Sequence, residues 1–507
     1  MATFTVIEKY RAFLYHKHLV RFNLEINDLL SFFNHYKVDF SDVLENIAEV
    51  MDNIFLPNFV LDFDAWLRNS PGNNNDDRYK NYFKNACGEW RKEILGKDEF
   101  IECLAEKICK MSLANIRECL SFFESDRANI ETRLNVKVRS KIKKISLLGG
   151  DRHENGKQPV LIELDESKLI YKPRRSGSEN YINEVCHLIK TNKICPETLD
   201  MKDHLWQEFI RNDPIEKTSM FNEAYFNYGI ILSFADLLNI NDCHFDNFII
   251  NREKAYMIDS ETIFQYYAYK KNFKRSIYHT GLIQSEDAIA NGLGHTSAIT
   301  AVTNIFNSYC YPYAVDDKTE RIKIKYENSH IKKTKNYPHL DGVATNPCSY
   351  IKEVIEGFEK GYRLLTLNRR EVLSLLTEFK IKSRCLIRTT SYYLLVINKI
   401  LHPAFTKNHH HNIPMLTDKY LRYKGEGEAF NKILKYEISS MMNYDVPIFY
   451  SFQDSTALKD GDGKIYMNFF PQPPVNHIKK NLVFNKGYLD EQKNNILMGM
   501  GNERKNR

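Results

Sequence analysis

The sequence predicts an α/β protein of the mixed α+β kind, built as two lobes behind a helical N-terminal region. Three observations predict it. Apolar residues recur at three- and four-residue steps through most of the first 140 residues; short β-rich runs cluster at 144–172; and a mostly helical stretch of about 240 residues follows position 265.

The segments "DVLENIAEVMDNIF" and "EFIECLAEKICKMSLANIRECLSFFE" carry the amphipathic helical pattern, and "NSPGNNNDDR" (69–78) between them reads as a polar loop. The runs "KISLLGGD", "PVLIELD" and "KLIYKPR" read as strands, with Asp165-Glu166-Ser167 turning between the last two. A helix, "NYINEVCHLIKT", comes next, and a second, "YGIILSFADLL", leads into the stretch 239–264. Further strands are expected at "RCLIRTT" and "VPIFYSF", and an exposed loop or insertion at 318–338. The domain reading is a helical region over 1–140, a small lobe over 141–215 and a larger lobe over 216–507. The order is that of a kinase: small lobe, then catalytic lobe.

Composition narrows the partners. With 43% hydrophobic and 27% charged residues the 507-residue chain is globular, and a net charge of +6 is too small at this length to call for nucleic acid. No run approaches the ~18–20 apolar residues of a membrane span. The N-terminal stretch "MATFTVIEKYRAFLYHKHLV" is too charged for a signal peptide. Ten cysteines without a CxxC or regular spacing fit reduced thiols and a cytoplasmic location.

The chemistry is concentrated in "NINDCHFDNFIINREKAYMIDSETIF" (239–264). Phosphoryl transfer needs a positioned acceptor for the hydroxyl proton and Mg²⁺ held by oxygen ligands against the phosphates. Asp242 reads as the base, Asn247 and Asp259 as metal ligands, and His244 as a group that orients Asp242 or meets phosphate charge. The D-x-H-x-x-N spacing, followed by an apolar strand and I-D-x-E, resembles the catalytic segment of atypical kinases, both lipid kinases and aminoglycoside/choline phosphotransferases. A polar loop that merely turns the chain is the plain alternative. Lys172 stands where kinases place a strand lysine on the nucleotide phosphates, with Glu184 in the next helix as its ion-pair partner. "LGGDRHENG" (148–156) repeats the D-x-H spacing at Asp151 and His153 without the asparagine. Its Gly and Asn-Gly pairs suit either a plain hairpin turn or backbone amides approaching phosphate.

A narrower resemblance runs through the chain. "GDRHENGKQPVLIELDESKLIYKPR", "INEVCHLI", "YGIILSFADLLNINDCHFDN", "MIDSETIF", "RCLIRTTSYY" with the following "LHP", "VPIFYSFQDSTALKDGDG" and "YLDEQKNNIL" resemble, in order, the dehydratase domain of class II lanthipeptide synthetases (LanM). They cover roughly residues 140–500. The resemblance implies a lipid-kinase-like fold with additional helical embellishments. It also implies ATP- and Mg²⁺-dependent phosphorylation of Ser and Thr in a leader-bearing precursor peptide, then loss of phosphate to give dehydroalanine or dehydrobutyrine. Carried over by position, Asp242, His244, Asn247, Asp259, Lys172, Asp151 and His153 match the kinase site. Arg384 and Thr390 match the R-x-x-x-R-P-T positions associated with elimination, within the region 380–470. Arg384 or Arg388 would offer phosphate a planar cationic fork. Thr389 stands where the family commonly has proline.

The family's zinc cyclase signatures, W-C-x-G and C-H-G, do not occur in this sequence, so no zinc is expected. The resemblance then points to a stand-alone dehydratase, or one cut at the domain boundary, with a separate cyclase or reductase as a later partner. "NHHHN" (408–412) reads as a solvated loop, "KDGDGK" (459–464) as a tight turn, and Cys243 as a small packed side chain. Three alternatives stay open: a small-molecule phosphotransferase, a peptide kinase without elimination, and a non-catalytic peptide-binding scaffold.

Overall fold

The computed structural model describes residues 28, 31–32, 38–69, 77–82, 99–138, 141–266, 274–285, 296–300, 306–330, 336–406, 409–422 and 428–501. Most of the polar loop read at 69–78 and the N-terminal stretch at 1–20 lie outside them, as do the side chains of His409, His410 and His411 in "NHHHN".

The described elements, in chain order, are α1 (Ser41–Asn69), α2 (Glu99–Leu134), β1 (Ile142–Leu147), β2 (Val160–Leu164), β3 (Lys168–Lys172), α3 (Ser178–Leu188), β4 (Thr198–Asp200), β5 (Leu205–Glu208) and α4 (Met220–Leu237). There follow β6 (Phe248–Asn251), β7 (Lys254–Met257), β8 (Phe306–Val315), β9 (Lys323–His330), α5 (Ile351–Leu367), α6 (Arg369–Glu378), β10 (Lys382–Arg384) and α7 (Thr390–Ile400). The chain ends through α8 (His409–Leu416), α9 (Leu434–Met442), β11 (Phe449–Phe452), β12 (Leu458–Asp460), β13 (Ile465–Tyr466), α10 (Val475–Asn481) and α11 (Lys486–Gly501). Helices thus accompany small antiparallel sheets, an α+β protein. Among the described residues no helix is long and apolar enough to cross a membrane.

The chain forms two compact units, each assembled from three separated stretches. One comprises Met1–Pro173, Tyr309–Glu327 and Arg388–Pro447; the other comprises Arg174–Ser308, Asn328–Ile387 and Ile448–Arg507.

In the first unit, α1 buries Val43, Leu44, Ile47, Ala48, Met51 and Ile54, the three- and four-residue spacing of its apolar stripe. β1, β2 and β3 form an antiparallel meander in which Ile145 faces Ile162 and Ile162 faces Leu169. The turn at Asp165-Glu166-Ser167 closes with Leu164 N–H on Ser167 O at 2.8 Å. The stretch 318–338 is not simply a loop. Lys323–His330 forms β9 and pairs with β8, because Ile322, Ile324 and Tyr326 alternate with charged residues at the two-residue period of a strand. "NHHHN" likewise differs from the expected loop, since His409–Leu416 is helical.

In the second unit, α4 is buried throughout from Tyr228 to Leu237, with Tyr228, Ile231, Leu232, Phe234 and Leu237 at 0% exposure, while its first turn exposes Asn222 and Glu223. α5 crosses it at glycine: a Cβ on Gly229 would run into Val354 O, and one on Gly357 into Phe226 O. That close crossing fixes α4, whose C-terminus delivers the acidic loop. β10, β11, β12 and β13 form a second antiparallel sheet. "KDGDGK" is the turn between β12 and β13, with Asp460 accepting from Lys464 N–H at 2.9 Å and from Tyr466 Oη–H at 2.8 Å. "RCLIRTT" is a strand only through Arg384; α7 starts at Thr390.

Candidate active site

The loop after α4 is held by its own side chains. Asp242 adopts a left-handed backbone, φ 62°, tolerated by aspartate at a cost of order 1 kcal/mol. Its N–H donates to Asn241 Oδ1 at 2.7 Å, and Cys243 N–H donates to Thr280 O at 2.8 Å. Gly281, φ +86°, lies flat against this stretch, where a Cβ would meet Cys243 N at 3.2 Å. Asn247 then closes the loop: its Nδ2 donates to Asp242 O at 2.7 Å. With the amide nitrogen so occupied, Oδ1 is the atom left for a cation.

His244 Nδ1 accepts from Asp246 N–H at 3.3 Å. His244 Nε2 lies 3.3 Å from Asn247 Nδ2 and 3.8 Å from Asp242 Oδ1, the latter beyond hydrogen-bond distance. The Asp242 and His244 side chains keep about a third of their surface, so a substrate can reach both. Burial, and then the charges of Asp242 and Asp259, push the Cys243 thiol well above its usual range. It stays protonated, matching a packed side chain rather than a thiolate ligand.

β6 and β7 return the chain so that Ile258 N–H donates to Asn247 O at 2.9 Å, which sets Asp259 beside the asparagine. Asp259 Oδ1 accepts from Glu261 N–H at 3.2 Å. The next residues run along β10: Arg384 N–H donates to Glu261 O at 2.7 Å, Gln265 Nε2–H to Arg384 O, and Leu386 N–H to Gln265 Oε1 at 3.1 Å. Arg384 Nη1 lies 3.1 Å from Glu261 Oε1, and Arg174 Nε lies 3.7 Å from Glu261 Oε2. Ser260 Oγ and Ser178 Oγ are 2.7 Å apart, both fully buried, tying this segment to the first turn of α3.

Asp242, His244, Asn247 and Asp259 are therefore brought together within one unit, and Arg384 joins them through Glu261. Glu184 belongs to the same unit but is exposed on α3; the buried acid of that helix is Glu179. Lys172, Asp151, His153, Arg388 and Thr390 belong to the other unit. Lys172 ends β3 half-buried. Asp151 is half-buried, and His153 is buried with Nδ1 2.7 Å from Val446 O. The amides of Asn155 and Gly156, weighed above as approaching phosphate, are taken by an internal carboxylate. They donate to Asp445 Oδ2 at 2.7 and 3.1 Å. Arg388 is paired with buried Glu437 at 3.0 Å, and Tyr393 Oη–H donates to the same carboxylate at 2.7 Å. Thr389 caps α7, accepting from Tyr392 N–H at 3.3 Å, with Thr390 the first helical residue.

Sequence reasoning passed over Glu261, Arg174, Glu179 and Asp445. The glutamate of I-D-x-E and the second basic residue of "KPRR" were visible signals for the first two. Nothing local marks Asp445, whose partners lie nearly 300 residues away in sequence.

Comparison with known proteins decides the family. The DUF4135 family, described as a domain of unknown function, matches residues 100–451, more than two thirds of the chain. The chain belongs to the DUF4135 family. It is also 26% identical, over 430 residues, to the lacticin 481/lactococcin biosynthesis protein LcnDR2 of Lactococcus lactis subsp. lactis. That similarity covers 78% of this chain and 45% of the relative, so the chain spans less than half of that protein's length. The class II lanthipeptide synthetase (LanM) assignment drawn from the motifs is borne out by these matches. The motif containing Asp242, His244, Asn247 and Asp259 lies wholly inside the DUF4135 region, as do Arg384 and Thr390.

Proposed function

We propose that this DUF4135 protein takes part in lanthipeptide maturation as a dehydratase: it phosphorylates Ser and Thr of a leader-bearing precursor peptide with ATP, then eliminates phosphate to leave dehydroalanine and dehydrobutyrine. The two lobes of this reading are lipid-kinase-like, and the enzyme acts in the cytoplasm. The observation that supports it is the Asn247 amide nitrogen donating to Asp242 O, which leaves Oδ1 unoccupied by that bond, with Asn247 O accepting from the N–H of Ile258, the residue before Asp259.

That donor set fits Mg²⁺, which takes oxygen ligands and keeps several waters and phosphate oxygens of its own. Asn247 Oδ1 and the Asp259 carboxylate would hold it, and when bound it supplies charge neutralisation for the phosphates. Asp242 accepts the proton of the attacking Ser or Thr hydroxyl. His244, whose Nε2 is 3.8 Å from Asp242 Oδ1, orients that carboxylate or meets the charge developing on the phosphate. Lys172 supplies the cation for the nucleotide phosphates. In the second half-reaction a base removes the Cα proton, its electron pair forms the Cα=Cβ bond, and the Cβ–O bond breaks as phosphate leaves. Arg384 presents a permanently charged guanidinium to that departing phosphate, with Thr390 as a hydrogen-bond donor.

The test is the intact mass of a Ser/Thr-rich precursor peptide incubated with the protein, ATP and Mg²⁺. Loss of whole waters is the expected result. Gain of phosphate alone would reduce the activity to that of a peptide kinase. No change with the peptide, alongside phosphorylation of small hydroxylated acceptors, would overturn the reading in favour of a small-molecule phosphotransferase.

A further inference from the structure

The first unit holds a cavity of about 550 Å³ that the proposed chemistry does not use. It lies among α7, α8, the one-turn helix Pro403–Thr406 and the π-helical turn Thr417–Leu421, and is lined by Leu395, Lys399, Phe405, Met415, Leu416 and Tyr420. Its floor is apolar, with Leu416 and Phe405 at 4% and 7% exposure. Two rim residues, Leu395 and Met415, are 41% and 63% exposed, so apolar surface continues outward from the cavity. Asn412 Nδ2, donating to Ala404 O and Phe405 O at 3.2 Å each, fastens α8 to the one-turn helix.

Among the described residues, two lysines stand at the Tyr420 rim of the cavity. Lys399 Nζ and Lys419 Nζ both lie near the Tyr420 ring, 5.0 and 5.4 Å from its centre. Among the described residues no carboxylate is within ion-pair distance of either lysine. The neighbouring acid, Asp418, is engaged by Arg422 at 2.7 Å. Two cations held at one tyrosine ring, beside an apolar pocket, complement a ligand with a large apolar side chain flanked by carboxylates.

We propose that this cavity is a docking subsite for the precursor peptide, taking an apolar side chain of an acidic segment. This rests on the dehydratase reading, because α7 carries both the pocket wall and Thr390. From Thr390 to Lys399 the helix rises about 14 Å at ~1.5 Å per residue, which about four residues of extended peptide span. The docked segment therefore lies about four or five residues from the Ser or Thr being processed.

The probe is a fluorescein-labelled twelve-residue peptide of alternating Leu and Glu, compared with its Leu/Lys counterpart by fluorescence anisotropy on the full chain. The acidic peptide is expected to bind at least ten-fold tighter than the basic one. Lys399→Glu with Lys419→Glu should weaken it ten-fold or more, and Met415→Glu likewise, in variants whose thermal midpoint matches wild type. Lys399→Gln with Lys419→Gln is the milder pair if charge reversal disturbs folding. Equal binding of both peptides, or binding unmoved by these variants, overturns the proposal. So does self-association of the chain that Met415→Glu abolishes, which would give the cavity to a second copy. The mass assay separates this from the dehydratase reading. Dehydration with no selective peptide binding sinks the docking site alone, whereas selective binding lost in the variants, with no phosphate transfer, sinks the chemistry alone.

Discussion

Arg384 and Glu261 are joined twice: Arg384 N–H donates to Glu261 O at 2.7 Å, and its guanidinium lies 3.1 Å from the Glu261 carboxylate. Both side chains are largely withdrawn from water, at 10% and 13% exposure. Glu261 sits two residues beyond Asp259, so the proposed metal ligand and the proposed elimination arginine hang on one short segment. Glu261→Gln is therefore expected to slow phosphate loss more than phosphorylation, with phosphopeptide accumulating in the mass spectrum. Glu261→Ala removes this carboxylate from the buried guanidinium and should cost on the order of 3 kcal/mol, read by urea denaturation. A Glu261→Gln enzyme that yields fully dehydrated peptide at the wild-type rate would remove Glu261 from any positioning role.

Asn247 and Asp259 should be separable from the elimination half. Asp259→Ala is expected to lower phosphorylation by a factor of 10² or more, and Asn247→Ala to raise the Mg²⁺ concentration needed for half-maximal rate. Chelation with EDTA should stop phosphorylation of the peptide in the wild type. A chemically prepared phosphopeptide offered to Asp259→Ala distinguishes the two steps. Its phosphate should still be lost, and failure there would mean that Asp259 serves both reactions.

Much of the fold was legible because it is local. α1 and α2 follow from three- and four-residue periodicity, α4 from a continuous apolar run, and β1, β2 and β3 from short β-rich runs with turn residues between them. The acidic loop was legible for the same reason, since Asp242, His244 and Asn247 lie within six residues and Asp259 follows one hairpin later. What was not legible depends on pairings distant in sequence. Asp445 claims the amides of Asn155 and Gly156, and Glu437 claims Arg388, so groups that read as ligand contacts are occupied inside the protein. Glu184 and Glu179 differ by a little over one helical turn, and only the tertiary packing of α3 decides which carboxylate is buried.

The Asp445 contact carries its own prediction. Asp445→Ala would leave the buried Gly156 N–H, the part-buried Asn155 N–H and the buried Arg152 guanidinium, whose Nε is 4.0 Å from Asp445 Oδ1, short of an acceptor. A loss of about 3 kcal/mol is expected, seen as a lower urea midpoint. Asp445→Asn, which keeps one acceptor oxygen, should lose less. Equal stability of all three proteins would show that water replaces the carboxylate at the turn.

Alkaline stability follows from the buried thiols. Burial pushes Cys119 and Cys243 well up, and Cys186 and Cys385 up to about 12. In the unfolded chain these thiols ionise near their ordinary pKa of about 8.5–9, whereas in the folded chain they keep their protons. The folded state then binds more protons above pH ~9, so stability is full below that pH and falls as pH rises toward 12. Each such thiol withdraws on the order of 1 kcal/mol by pH 10. The urea midpoint should drop between pH 8 and 10, less steeply in Cys186→Ala with Cys385→Ala. An identical pH slope in that variant would show that other groups dominate the titration.

Thr389 replaces the proline common at its position, and the backbone explains why the motif survives. Its φ is −67° and its ψ 146°, the geometry that a pyrrolidine ring imposes. The threonine adds a side-chain cap on Tyr392 N–H, which proline lacks, while proline restricts the unfolded chain. These effects oppose each other at about 1 kcal/mol apiece, so Thr389→Pro should change stability by less than about 1 kcal/mol. Because the entry to α7 is already proline-shaped, Thr390 should keep its place at the first helical position and phosphate elimination should proceed as before. Thr389→Ala, which removes the cap without restricting the backbone, should be the less stable of the two. A Thr389→Pro enzyme that folds normally but accumulates phosphopeptide would mean that the Thr389 hydroxyl itself serves the elimination step.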